Sequence, residues 1–204
     1  MAQIFSDILA KGVRRGEIPA RTQTAREWYR NQAKRSGSGI NATGVIEASR
    51  PKNSTATLTR EGQIGQMMLF EYDPKHKDTL PYYDRFPLIF PINIAKGGFL
   101  GMNMHYLPPR LRAQLMDALY DAANNQRFDE KTRLDISYRI LSQSSKYRLF
   151  KPTVKRYLTK HVRSRFVRIN ASEWDIALFL PLQSFQKGSV QKVYADSRKI
   201  IRGA

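Results

Sequence analysis

The sequence predicts an α+β fold: a small antiparallel sheet packed with several helices, preceded by a basic N-terminal helical arm and a flexible linker. Three observations carry this. Near the middle of the chain, apolar residues alternate as in strands, and farther on they recur three and four residues apart as in helices. Lys96-Gly97-Gly98 separates two strand-like runs, as a hairpin turn requires. Residues 36–66 are rich in Gly, Ser, Thr and Asn and nearly lack large apolar side chains. The expected organisation is therefore a basic helical arm over 1–35, an extended linker over 36–66 and a compact core over 67–204.

Element by element, Ile4, Phe5, Ile8 and Leu9 share one face of a first helix, which Gly12 and Gly16 interrupt. A second helix starts near Thr22 or Thr24, either of which can cap it, and carries Trp28 and Tyr29. Ser36-Gly37-Ser38-Gly39 begins the linker. In the core, Met67–Tyr72 and Leu88–Ile94 read as strands, and Gly98–Leu107 alternates with period two. Pro108-Pro109 opens a helix with Leu111, Leu115, Met116 and Leu119 inward, closed by Asn124-Asn125. Asp129 can cap the next, with Leu134, Tyr138 and Leu141 on one stripe. Pro152 suggests a helix over 151–161, and Phe166–Ile169 a strand. Ser172 and Asp175 resemble a capping box before Trp174, Ile176 and Leu178, a segment that periodicity leaves open between helix and strand. Ser189 caps a final helix with Val190, Val193, Tyr194 and Ile201 inward.

The charge balance narrows the function. The chain has 204 residues, with 35 Lys and Arg against 17 Asp and Glu, a net charge of +18. Such an excess repels itself unless a polyanion is the usual neighbour. With 41% hydrophobic residues the chain is otherwise that of a globular protein, not of a disordered tail. Cys is absent, which excludes disulfides, thiolate metal sites and Cys nucleophiles and fits a reducing cytoplasm. No apolar run approaches the ~20 residues that span a bilayer, and the first residues lack the apolar stretch of a secretory signal. A soluble compartment, with no membrane partner, is expected.

The main signal lies between Ile136 and Ser172, where there is no acidic residue. The cations of this stretch are Arg139, Lys146, Arg148, Lys151 and Lys155, followed by Arg156, Lys160, Arg163, Arg165 and Arg168. In the expected 151–161 helix, spacings of three to five put much of the charge on one flank, with Val154, Tyr157, Leu158 and Val162 inward. The functional reading is a surface for DNA phosphates, since each phosphate neutralised releases counterions without regard to base sequence. The plainer alternative is a solvated helix face. Tyr138, Tyr147, Phe150, Tyr157 and Phe166 thread the stretch and are read as core side chains before stacking platforms. A second cluster, Arg14, Arg15, Arg21, Arg26 and Arg30 with Trp28, suits either DNA or an acidic protein neighbour, with Trp28 as an anchor in a protein groove.

Enzyme signals are weak. Asp73, His76, Asp78 and Asp84 lie close in sequence, and His105 could join them across the sheet to hold a metal in a nuclease. Yet Asp73-Pro74 reads as a turn, and Lys75 and Lys77 disfavour a cation there. No phosphate loop of Walker type and no nucleophile elbow occurs. His105 reads as a hydrogen-bonded structural residue. No catalytic residue, metal or cofactor is expected.

Several strings carry a resemblance: Gly16-Glu17-Ile18-Pro19-Ala20-Arg21-Thr22, Tyr72-Asp73-Pro74-Lys75, and Leu80-Pro81-Tyr82-Tyr83-Asp84-Arg85-Phe86-Pro87. Gly98-Phe99-Leu100-Gly101, His105-Tyr106-Leu107-Pro108 and Ser172-Glu173-Trp174-Asp175-Ile176-Ala177 complete the set. Together they resemble the DNA end protector, or head-completion, proteins of T-even-type contractile-tailed bacteriophages over most of the chain. The resemblance implies a virion protein, made in the host cytoplasm, that holds the end of the packaged double-stranded DNA and shields it from exonuclease. It implies neighbours among the head, neck or tail proteins. A tail, neck or baseplate-hub component that meets acidic subunits is the alternative, and a metal-dependent nuclease a second.

Overall fold

The computed structural model describes residues 4–14, 66–123, 127, 130–164, 166–169, 174 and 183–203. The expected second helix, the linker and the segment after Trp174 lie outside them. No helix among the described residues is long and apolar enough to cross a membrane.

The architecture is α+β, as expected. Strands β1 (Met67–Leu69), β3 (Leu88–Ala95), β4 (Gly98–Asn103), β5 (Val154–Leu158) and β6 (Val167–Ile169) form one antiparallel sheet in the order β5-β4-β3-β1-β6. A two-stranded ribbon pairs β2 (Tyr83–Asp84) with β7 (Phe185–Gln186). The β3–β4 hairpin turns at Lys96-Gly97, and Gly97 takes φ +72°, open to glycine without strain.

Four helices accompany the strands among the described residues: α1 (Ile4–Arg14), α2 (Pro109–Ala123), α3 (Glu130–Lys146) and α4 (Val190–Arg202). Helix α1 runs through Gly12 and ends at Arg14. It lies against α2 and places Ile8 and Leu9 in the main core. The carboxylate of Asp117 on α2 accepts from the Ser6 amide (3.1 Å) and from its hydroxyl, so a neighbouring helix satisfies the first turn of α1. Ser189 caps α4 as expected, its Oγ accepting from Lys192 N at 3.2 Å.

Period two sorts the sheet's side chains onto two faces. Met67, Leu69, Leu88, Phe90 and Met102 point toward the helices, where Leu115, Met116, Leu119 and Leu141 meet them. Phe90 packs edge-on against Trp174 at 5.3 Å. Met68, Phe70, Ile89, Phe99 and Tyr157 point the other way and form a second cluster with Tyr72 and Val162. Gly101 lies on this second side, where a Cβ would crowd Ile89 and Tyr157.

Two elements differ from expectation. The strand expected through Leu107 stops at Asn103, and Met104–Tyr106 form a 3-10 turn. The cause is local: Asn103 Oδ1 accepts from His105 N at 2.9 Å, diverting the backbone from the ladder. The helix expected over 151–161 is instead a 3-10 turn (Lys151–Thr153), strand β5 and a second 3-10 turn (Thr159–His161). Pro152 does open a helical turn, but β5 pairs with β4 from Met102↔Val154 to Gly98↔Leu158, and sheet pairing overrides the local preference.

Candidate nucleic-acid interface

In a strand, neighbouring side chains face opposite ways, so the cations of β5 do not share a flank. Lys155 shares the face of Tyr157 and the aromatic cluster. Arg156 faces the other way at the sheet edge, exposed, and donates to the Lys96 carbonyl at 2.8 Å.

The remaining described cations of the basic stretch fall into four places. Arg139 is exposed on α3. Lys146, Arg148 and Lys151 are exposed on the consecutive turns that leave α3. There the Arg148 guanidinium lies against Gly203, the left-handed cap of α4, where a Cβ would overlap it. A cation suits that helix end, where free carbonyls concentrate negative potential. Lys160 and Arg163 are exposed around the turn after β5, and Arg163 reaches Asp73 Oδ2 at 3.3 Å. Arg168 pairs through its backbone with Met68 in β6. Arg165 lies outside the described residues. Arg139, Lys146, Lys151 and Lys160 have no carboxylate partner among the described residues. Of the N-terminal cluster, Arg14 is exposed at the end of α1, and Arg15, Arg21, Arg26, Trp28 and Arg30 lie outside the described residues.

A group of residues that sequence reading did not assemble surrounds Lys155. The 72–84 segment, the Met104–Tyr106 turn and β5 enclose a cavity of about 530 Å³. Its walls include Tyr82, Tyr83 and Tyr106, with Lys75, His76 and Arg156 also lining it. Lys155 Nζ sits 4.1 Å from the centre of the Tyr106 ring, a cation–π contact. Burial pushes its amine down to about 8. The same desolvation, aided by the negative charge of Asp84, raises the Tyr106 hydroxyl.

Beneath the cavity, Asp84 is a buried hub. As a carboxylate it can only accept. Oδ2 takes bonds from His105 Nδ1 (2.6 Å) and Asn103 Nδ2 (3.2 Å), and Oδ1 from the backbone amides of Phe86 (3.2 Å) and Ser184 (3.1 Å). Asn103 Nδ2 also donates to the Tyr157 hydroxyl at 3.1 Å. This ties β2, β4, β5 and the approach to β7 around one charge. His105 is hydrogen-bonded through Nδ1, as expected, and fully buried.

The other walls are also pinned. Lys187, at φ 64°, donates from Nζ to the carbonyls of Lys77 (3.0 Å) and Asp78 (2.8 Å), fixing the 74–80 turn. Helix α4 holds the Tyr106 turn through Ser197 Oγ, which donates to Tyr106 O at 2.8 Å. On the same helix, Tyr194 accepts from the buried Arg112 at 2.8 Å. The outer surface of α4 adds exposed Lys192, Arg198, Lys199 and Arg202, which the sequence reading, attending to its inward residues, left aside.

The acidic residues considered as metal ligands part company. Asp73 pairs with Lys77 (3.0 Å) and Arg163, which hold its carboxyl below the usual range, whereas Asp84 pairs with His105. Among the described residues no three His, Asp or Glu side chains are placed to hold one metal ion.

No curated protein and no solved structure matches the chain significantly. A family model does match, across residues 14–202, and so spans the sheet, the cavity and α4 alike; the chain belongs to the phage T4 terminal DNA protecting protein family.

Proposed function

We infer that this virion-associated phage protein protects the genome end by gripping double-stranded DNA without reading its sequence and without chemistry of its own. The end-protecting role follows from the family. The observation that carries the manner of binding is the set of exposed cations without carboxylate partners among the described residues, Arg139, Lys146, Lys151 and Lys160, on a chain of net charge +18. Contacts to phosphate position a protein on DNA at any sequence, as an arbitrary genome end demands. Occluding a terminus is a steric task and needs no acid–base machinery.

In this reading the exposed cations Arg139, Lys146, Lys151 and Lys160 face the duplex. The segment over 1–35, through Arg14, Arg15, Arg21, Arg26, Arg30 and Trp28, meets other virion proteins of the head, neck or tail. The 36–66 segment links it to the 67–204 core. Binding accompanies assembly in the host cytoplasm and completes the head.

Duplex binding measured across a salt series tests this. Log affinity should fall linearly with log salt, by about 0.9 per phosphate engaged. Changing Arg139, Lys146, Lys151 and Lys160 together to Glu should flatten that slope and leave the melting temperature in place. Salt-independent binding, or an unaltered slope in the fourfold variant, would refute the assignment.

A further inference from the structure

We propose that the cavity between the 72–84 segment, the Met104–Tyr106 turn and β5 receives the terminal nucleotide of a DNA end, its 5′-phosphate on Lys155 and its base against the tyrosine walls. The inference rests on the end-binding reading above and deepens it by naming the group that marks an end. The cavity of about 530 Å³ is of the size that holds a small ligand, within the ~300–1,000 Å³ range of such sites.

Its chemistry suits a nucleotide. Tyr82 and Tyr83, half-buried in its walls, offer flat aromatic surface, which takes any base. Lys155 carries its ammonium into partly buried space, with the Tyr106 ring as its contact and no carboxylate partner among the described residues. Such an uncompensated charge weakens a fold, and an anion arriving from outside would supply its missing partner. Asp84 lines the same cavity, but its oxygens are engaged by His105, Asn103 and two backbone amides. Lys75 also lines it, adding positive charge for the next phosphate of the strand.

An end differs from a duplex interior in two ways that this cavity can read. A terminal phosphate monoester has a second ionisation near pH 6 and so approaches two negative charges, whereas an internal diester carries one. The terminal base also has a single stacking neighbour, so turning it out of the helix costs less than inside the duplex.

Three DNAs of one sequence test the proposal: a hairpin whose single open end bears a 5′-phosphate, the same hairpin with a 5′-hydroxyl, and a dumbbell closed at both ends. Wild type should bind the phosphorylated hairpin about tenfold or more tighter than the dumbbell, the scale of a charge-assisted contact. Lys155→Met should bind all three alike, near the wild-type affinity for the dumbbell, and should melt at or above the wild-type temperature. Equal wild-type affinity for hairpin and dumbbell overturns the cavity's role while leaving sequence-independent DNA binding intact. Binding to none of the three removes both. A Lys155→Met protein that keeps the preference also overturns the proposal. Displacement of the hairpin by deoxyadenosine monophosphate at the concentration where unlabelled hairpin succeeds would assign the cavity to free nucleotides instead. If the variant fails to fold, acetylation of wild-type Lys155 decides: the phosphorylated hairpin should slow it and the dumbbell should not, and equal protection by the two refutes the proposal.

Discussion

Toward the helices the sheet presents Met67, Leu69, Leu88, Phe90 and Met102; on its other side it presents Phe70, Tyr72, Phe99 and Tyr157. The first face is met by apolar side chains from α1, α2 and α3. The second is aromatic, and no residue of a described helix joins it. Phe70 sits at its centre, edge-on to Tyr157 at 5.4 Å and to Phe166 at 4.8 Å. The Tyr157 hydroxyl then joins this cluster to Asn103 and the Asp84 hub. The contrast separates two tasks. Apolar packing on one face supplies stability, and the other face accepts a buried charge, polar hydroxyls and a cavity.

The largest effect that would sharpen this division is on the helix side. Phe90 is fully buried against Trp174, and Phe90→Ala should cost about 3–5 kcal/mol in denaturant unfolding. DNA affinity, corrected for the folded fraction, should hold. A loss of affinity beyond that correction would break the division, because the helix face would then shape the ligand surface as well.

A smaller effect lies on the aromatic side and depends on pH. Burial holds the Lys155 amine at about 8, against 10.5 ordinarily. Between those values the unfolded chain keeps a proton that the folded chain has lost, so stability rises with pH through that window. Below about 8 both states are charged, and the full burial penalty applies. The melting-temperature advantage of Lys155→Met over wild type should therefore be greatest below pH 8 and shrink toward pH 10.5. A constant gap would contradict the burial of an uncompensated ammonium.

Much of the fold was legible because its signals are local. Gly97 at the hairpin, Pro109 in the first turn of α2 and Ser189 before α4 each fix backbone within a few residues. Strand β5 was not legible. Its cations fall at helix-like spacing, and Val154 and Tyr157 are inward in either period, so the two readings agree on the core and differ only in where Lys155 and Arg156 point. Pairing with β4, some 50 residues away, decides between them. The exposure of Arg139, Lys146, Lys151 and Lys160 follows from an acid-free stretch, and the sequence announces it plainly. The cavity does not announce itself, because it joins segments around residues 72–84, 103–106 and 155–158 that meet only in the folded chain. Asp84 and His105 stood out in sequence as titratable residues, yet only the folded chain brings them to 2.6 Å and leaves, among the described residues, no third His, Asp or Glu beside them to complete a ligand set.

The central claim is that the protein acts at DNA termini, and digestion of linear duplexes of several lengths by a 5′→3′ exonuclease tests it most directly. Protection should saturate at a fixed ratio of protein to ends, whatever the duplex length. Protection that grows only as protein coats the full length of the DNA would contradict the account.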